Sequence, residues 1–169
     1  CVFSSEIDKY CIQTYITNFG KTNFYGDITN LGSSENIMNT IPDFNILFAG
    51  NIADAQDMPA VLDAAELLRN NKSIKWIIVG DGRRFEWLKS QVHKRQLEEH
   101  FIILGRFPLE RMPSFFAHAD ALLVSLKKDP VFSLTIPAKL QTYLMTGIPI
   151  LGMLDGEGSK IIEESYGID

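Results

Sequence analysis

Residues 76–82 read Trp-Ile-Ile-Val-Gly-Asp-Gly, an apolar run followed at once by two glycines around an aspartate. The run is too short for a helix and rich in aliphatic side chains, so it predicts a buried strand that ends in a turn. Comparable runs recur along the chain. They predict strands at residues 46–49, 76–79, 101–104, 121–125 and 149–151.

Longer stretches with helical periodicity lie between these strands. Val61, Leu62, Ala65 and Leu68 fall on one helical face, for example, and Gly147 stands where a helix needs a left-handed cap. The predicted helices are residues 58–70, 85–97, 110–118, 139–146 and 159–165. Alternating strands and helices predict an α/β fold: a doubly wound, Rossmann-like parallel sheet with helices on both faces.

The composition excludes several classes of protein. The chain has 169 residues, 46% of them hydrophobic and 22% charged, which is typical of one globular domain. Sixteen basic residues against 21 acidic ones give a net charge of −5, so we expect no nucleic-acid partner. With no signal peptide or long apolar stretch, we expect a cytoplasmic location. Cys1 and Cys11 lack metal-ligand spacing, and we expect no metal site.

Residues 1–45 differ in texture from the remainder. They carry two lysines against five acidic residues and a turn-rich stretch with several glycines and asparagines. We therefore expect two parts: a βα segment at 1–45, packed on or appended to the sheet, and a larger domain at 46–169.

The residues that directly follow the predicted strands are the first candidates for a binding site, because parallel sheets bind ligands beyond the carboxyl ends of their strands. Small residues there allow a ligand to approach the backbone, and helix starts favour anionic groups such as a diphosphate. A nucleotide would fit this pattern. The alternative is a simple turn without a ligand. The candidate residues are Gly50, Asn51, Gly80, Asp81, Gly82, Arg106 and Phe107.

Two further candidates lie on the predicted helix 139–146. Lys139 and Thr142 are three residues apart and share one face, and the lysine could meet a phosphate. The alternative for a lone lysine is a solvated surface position. The chain lacks both the Gly-x-Gly-x-x-Gly fingerprint and a phosphate-binding P-loop, which disfavours a dehydrogenase or a P-loop enzyme. The scattered histidines form no triad, so no catalytic residue is predicted.

Five segments resemble, in order, the carboxy-terminal donor-binding domain of retaining family 4 glycosyltransferases, which have the GT-B fold. They are residues 45–51 (NILFAGN), 77–82 (IIVGDG), 103–108 (ILGRFP), 117–125 (AHADALLVS) and 136–150 (IPAKLQTYLMTGIPI). The resemblance implies that residues 46–169 bind a nucleotide-sugar donor, here a UDP-sugar. It also implies that residues 103–108 frame the nucleobase and that no further cofactor is required.

The resemblance extends to biological role and partners. Residues 132–141 (FSLTIPAKLQ) and Gly156-Glu157-Gly158 are most similar to enzymes of bacterial surface polysaccharide biosynthesis. In this family a separate amino-terminal domain, missing here, holds the acceptor. We therefore expect donor binding without full turnover in this fragment, and peripheral membrane association only for the parent enzyme.

The chain departs from the family at charged positions. The two family acids, one of which contacts the ribose, fall on Leu134 and Thr142. The basic pair that follows the first strand is replaced by Asn51, Gln56 and Asp57. One hypothesis is that Lys139 substitutes for that pair.

The amino-terminal 50 residues instead resemble C5 cytosine DNA methyltransferases, through residues 1–10, 18–20, 26–29 and 41–50. The resemblance implies that Glu6 binds the ribose of S-adenosylmethionine and that Asp27, with Ile28 beside it, contacts its adenine. The methyltransferase nucleophile loop is replaced by residues 51–53. We interpret the chain as a chimera joined near residues 48–50. A methyltransferase fragment that binds S-adenosylmethionine and an inactive fold chimera stay open as alternatives.

Overall fold

The computed structural model describes residues 44–165, which form one five-stranded parallel sheet. The strand order is β3-β2-β1-β4-β5, so β1 is central and the chain winds outward from it in both directions. The sheet confirms the predicted doubly wound fold. The strands are β1 (Phe44–Ala49), β2 (Ile74–Val79), β3 (Phe101–Gly105), β4 (Ala121–Ser125) and β5 (Ile150–Met153).

Helices cover both faces of this sheet. One core cluster joins Ile46, Phe48 and Ile78 to α1 and α2, and the other joins Leu47 and Val79 to α3 and α5. Alternate residues of β1 therefore enter opposite cores, which is why the strand reads as a continuous apolar run. The helices are α1 (Met58–Leu67), α2 (Phe85–Lys94), α3 (Met112–Phe116), α4 (Pro130–Ser133), α5 (Ala138–Leu144) and α6 (Glu157–Ser165).

Several predicted boundaries were wrong. Helix α1 ends at Leu67 instead of residue 70, and α2 ends at Lys94 instead of residue 97. The second helix stops because Gln96 has a φ of 56°, in the left-handed region, while Leu97 turns into the core. The predicted helix 110–118 is a 3-10 turn, Leu109–Arg111, followed by the short α3.

The carboxy-terminal elements differ less. Helix α5 covers 138–144 where 139–146 was predicted, α6 begins two residues early, and β5 covers 150–153. Helix α4 was missed, although Pro130 lies in its first turn and the Asp129 carboxylate accepts a hydrogen bond from Val131 N at 2.8 Å. Gly147 does adopt the predicted left-handed conformation, with a φ of 71°.

Contacts from outside the ladder hold both ends of β1 on its β4 side. At the start, Asp120 accepts a hydrogen bond from Asn45 N at 2.7 Å through its carboxylate and donates its own N–H to Asn45 O at 3.0 Å. The β1–β4 pairs are Ile46 with Ala121 and Leu47 with Leu122, and they do not reach Ala49. There the Tyr143 side chain of α5 bonds the backbone groups of Ala49 instead.

Candidate functional site

A cavity of about 450 Å³ lies at the carboxyl ends of β1, β2 and β3. This is the edge at which open parallel sheets bind ligands. Seven of the nine predicted donor-site residues line it. The lining residues are Gly50, Asn51, Val79, Gly80, Asp81, Gly82, Arg106, Phe107 and Met112. Val79 and Met112 were not predicted, because their apolar side chains carry no chemical signal of a site.

The glycines at 80 and 82 are required by backbone contacts between the strand ends. Gly80 has a φ of 143°, and a Cβ added there would lie 1.8 Å from Gly50 O. Gly82 has a φ of 153°, and its Cβ would lie 2.3 Å from Ile52 O. The two loops after β1 and β2 therefore pack backbone against backbone, which no other residue type would permit. Because Gly50, Gly80 and Gly82 all line the cavity, part of its wall is main chain.

Hydrogen bonds fix the loop between those glycines. Asp81 is exposed, its carboxylate accepts a hydrogen bond from Gly82 N at 2.7 Å, and its carbonyl accepts one from Ile52 N at 2.8 Å. Ile52 O in turn accepts a hydrogen bond from Arg84 N at 3.0 Å. The loop before α2 is thus held by the loop after β1, and the Asp81 carboxylate is oriented by its own turn.

Lys139 lies beside this cavity and is not a solvated surface lysine, so that alternative was wrong. The side chain starts on α5, on one face of the sheet, and places Nζ 3.6 Å from the centre of the Phe48 ring, which belongs to the core on the other face. Nζ is also 3.2 Å from the position that a Cβ on Gly50 would take. Burial lowers the pKa of Lys139 to about 7.

Tyr143, one turn after Lys139, was missed by sequence reasoning. Its hydroxyl accepts a hydrogen bond from Ala49 N at 2.9 Å and donates one to Ala49 O at 3.2 Å. Burial raises the pKa of this phenol to about 12, so it is neutral at neutral pH. The i, i+4 spacing from Lys139 was the available signal. Thr142, by contrast, is exposed and lies outside the cavity lining.

The family-acid positions and the histidines lie away from this cavity. Leu134 is 81% exposed, so both positions of the family acids face solvent in this chain. His93 contacts Glu98 at 2.7 Å, His118 contacts Ser114 O at 2.8 Å, and His100 is buried away from the cavity lining. Glu6, Asp27 and Ile28 lie outside the described residues.

Within residues 44–165, no group of three or more His, Cys, Asp or Glu side chains is arranged to hold a metal ion. No helix in this part of the chain has the length and apolar character needed to cross a membrane.

Comparison with known families divides the chain in two. A family model described as glycosyl transferases group 1 matches residues 39–151, and one described as C-5 cytosine-specific DNA methylase matches residues 1–51. The two matches overlap at residues 39–51, a range that includes β1 and the predicted joint. The interpretation as a chimera is confirmed.

Curated relatives reproduce this division. A Pseudomonas aeruginosa protein named "probable glycosyltransferase WbjE" is 32% identical over 123 residues, which cover 70% of this chain and 29% of that protein. The type II methyltransferase M.NlaX of Neisseria lactamica is 52% identical over 50 residues, which cover 30% of this chain and 14% of that protein. The chain thus spans less than a third of either relative.

Among solved structures, that of Anabaena HepE has a TM-score of 0.59 and 16% identity, covering 75% of this chain and 34% of that protein. At this identity the likeness shows the fold alone.

Proposed function

Because the chain belongs to the glycosyl transferases group 1 family, we propose that the cavity at the ends of β1, β2 and β3 binds the nucleotide of a nucleotide-sugar donor. One observation carries the proposal. Residues predicted from three separate strand ends converge on a single cavity of about 450 Å³, and ligand sites have about this volume.

The residues of the cavity suit the parts of a nucleotide. Arg106 is exposed and carries the positive charge of the lining, and a guanidinium can bind phosphate oxygens with two parallel hydrogen bonds. Phe107 supplies an apolar wall, and its ring is braced edge-on by Phe115 at 4.9 Å between centroids. Lys139 provides an amine beside Gly50, in line with the hypothesis that it substitutes for the missing basic pair.

We propose UDP as the nucleotide. The HepE structure was solved with UDP, and its fold is similar to that of residues 44–165 of this chain. The motifs at 132–141 and 156–158 favour a sugar destined for a bacterial surface polysaccharide. In that proposal, residues 46–169 form the donor-binding domain, residues 1–45 form a methyltransferase-like βα segment, and a separate domain holds the acceptor.

Calorimetric titration of the purified chain with UDP and a UDP-amino-sugar tests donor binding. We expect saturable binding of both, weakened about tenfold or more by Arg106→Met, because a charge-assisted phosphate contact contributes about 1.5–3 kcal/mol. Lys94→Met, an exposed lysine on α2, is the matched control and should bind like the parent. No heat from either ligand, with a folded protein, would contradict the proposal.

A second candidate function is binding of S-adenosylmethionine by the amino-terminal segment. The 52% identity to M.NlaX over 50 residues favours it, through Glu6, Asp27 and Ile28. S-adenosylhomocysteine belongs in the same titration series. Binding of this ligand without UDP binding would favour the methyltransferase alternative, and silence toward all ligands would favour an inactive chimera.

A further inference from the structure

The amine of Lys139 is a buried polar group without a hydrogen-bond partner among residues 44–165. Nζ lies 3.6 Å from the centre of the Phe48 ring and 3.2 Å from the position that a Cβ on Gly50 would take. A buried ammonium without an anion is strongly disfavoured, and the group loses its proton instead. The protonation state of this amine should therefore differ between the ligand-free protein and a protein that holds an anion beside it.

The groups around this amine do not supply a charge. β1 contributes Phe48 and Gly50, and α5 contributes Tyr143, whose raised pKa of about 12 keeps the phenol neutral. The charged members of the cavity lining are Asp81, after β2, and Arg106, after β3. Burial is the cause of the lowered pKa of Lys139, without a contribution from either of them.

Gly50 connects this amine to the proposed donor site. It lines the cavity, and a Cβ at this position would come within 3.2 Å of Nζ. Because residue 50 is glycine, no Cβ occupies the space beside the amine at this position of the cavity wall. Nζ is itself buried and is not part of the lining, so a phosphate beside Gly50 would reach it only after a shift of the lysine side chain, and would then give Nζ the anionic partner that it lacks.

We propose that the buried amine of Lys139 gives up its proton in the ligand-free protein above neutral pH and binds a phosphate oxygen of the donor as an ammonium, so that donor binding takes up a proton there. This inference rests on the proposed donor function. In the binding step Nζ gains one proton from solvent, and the resulting ammonium donates hydrogen bonds to the phosphate. No covalent bond forms or breaks.

Proton uptake can be measured directly by titrating the full chain with UDP at pH 8 in buffers of different ionisation enthalpy. A lysine whose pKa is about 7 is about one-tenth protonated at pH 8, so we expect uptake of about 0.9 proton per UDP bound. The nucleotide does not contribute, because the second pKa of a phosphate is about 6. The affinity for UDP should fall about 50-fold from pH 7 to pH 9, since the bound form requires the proton.

Two variants separate Lys139 from other groups. Lys139→Arg carries a permanent charge and Lys139→Met none, so both should bind UDP without proton uptake at pH 8, and Lys139→Met more weakly than the parent. Lys94→Met should keep the parental uptake. UDP binding by the parent without proton uptake, or unchanged uptake in Lys139→Met, would overturn the inference and leave the donor function intact. Failure of UDP to bind the folded parent would overturn both.

A measurement without ligand tests the first half alone. In protein labelled with ¹³C at lysine Cε, the resonance that is lost in Lys139→Met belongs to Lys139. Its titration midpoint should lie near pH 7 without ligand and above pH 9 with saturating UDP. This assignment holds even if Lys139→Arg fails to fold. Titration of that resonance at the ordinary lysine pKa in the empty protein would overturn the inference, as would a titration near pH 7 that UDP leaves unchanged.

Discussion

Tyr143→Phe removes one oxygen atom and should cost a large part of the stability of the fold. The β1–β4 ladder ends with the pair Leu47 and Leu122, so the N–H and C=O of Ala49 have no β4 partner. The Tyr143 hydroxyl bonds both of these groups, at 2.9 and 3.2 Å. Phenylalanine fills the same space and leaves both backbone groups buried and unpaired.

The expected loss follows from those two hydrogen bonds. Each contributes about 1 kcal/mol net, and an unpaired buried group costs about 1–3 kcal/mol, so Tyr143→Phe should lower the free energy of unfolding by about 2–4 kcal/mol. Urea denaturation, followed by the fluorescence of Trp76 and Trp87, measures it. The exposed neighbour Thr142→Val is the matched control, with an expected change within about 0.5 kcal/mol.

The same residue predicts a response to alkali. Burial raises the pKa of Tyr143 to about 12, whereas an unfolded tyrosine has a pKa of about 10. The stabilisation is therefore fully present below pH 10 and is lost as the pH rises through 12, by about 3 kcal/mol in all. Tyr143→Phe should lack this loss. A variant as stable as the parent at pH 7, with the same alkaline profile, would refute the role of the hydroxyl at the end of β1.

Three other variants test the site and the helix ends. Lys139→Met should be about 2–5 kcal/mol more stable than the parent at pH 7, and this difference should vanish toward pH 10. The reason is that the pKa of Lys139 is lowered in the folded state, so between pH 7 and pH 10 the unfolded chain binds a proton that the folded protein does not. An equal difference at both pH values in urea melts would contradict this reasoning. Gln96→Gly should add up to about 1 kcal/mol by relieving the φ of 56°, whereas Gln91→Gly within α2 should lose about 1 kcal/mol in the same melts. Gly82→Ala should lower the free energy of unfolding by about 2–4 kcal/mol and abolish UDP binding, because the new Cβ would lie 2.3 Å from Ile52 O. A fully folded variant that binds UDP would show that the two loops are not packed as described.

The sheet and most of the cavity could be predicted from local sequence. Each strand is a short apolar run, and its carboxyl end is marked by residues such as Gly50 or Gly80, so the sheet rule alone brings those ends to one edge. Helix ends were predicted less well, because the turn at Gln96 depends on Leu97 entering the core, which no local pattern encodes.

The burial of Lys139 and the role of Tyr143 could not be predicted, because both depend on contacts across more than 90 residues of sequence. Leu140 and Tyr143 are buried in the core on one face, and their helix carries the Lys139 stem across the sheet edge to Phe48. A lone lysine in a polar pattern is far more often solvated. Only the packing of α5 against the end of β1 reverses that expectation.

The position of the joint between the two family matches follows from the same geometry. Strand β1 lies within the overlap of the matches and is the central strand, and its pairing with β2 and β4 uses backbone groups that every sequence provides. Its side chains need only be apolar on both faces, a requirement common to parallel sheets of any family. Phe48, Ala49 and Gly50, however, contact Lys139 and Tyr143, which lie in the glycosyltransferase-like part. A joint placed here is compatible with the proposed donor site only if those three positions keep an apolar ring, a backbone amide that bonds the Tyr143 hydroxyl and no side chain, and this chain meets all three conditions.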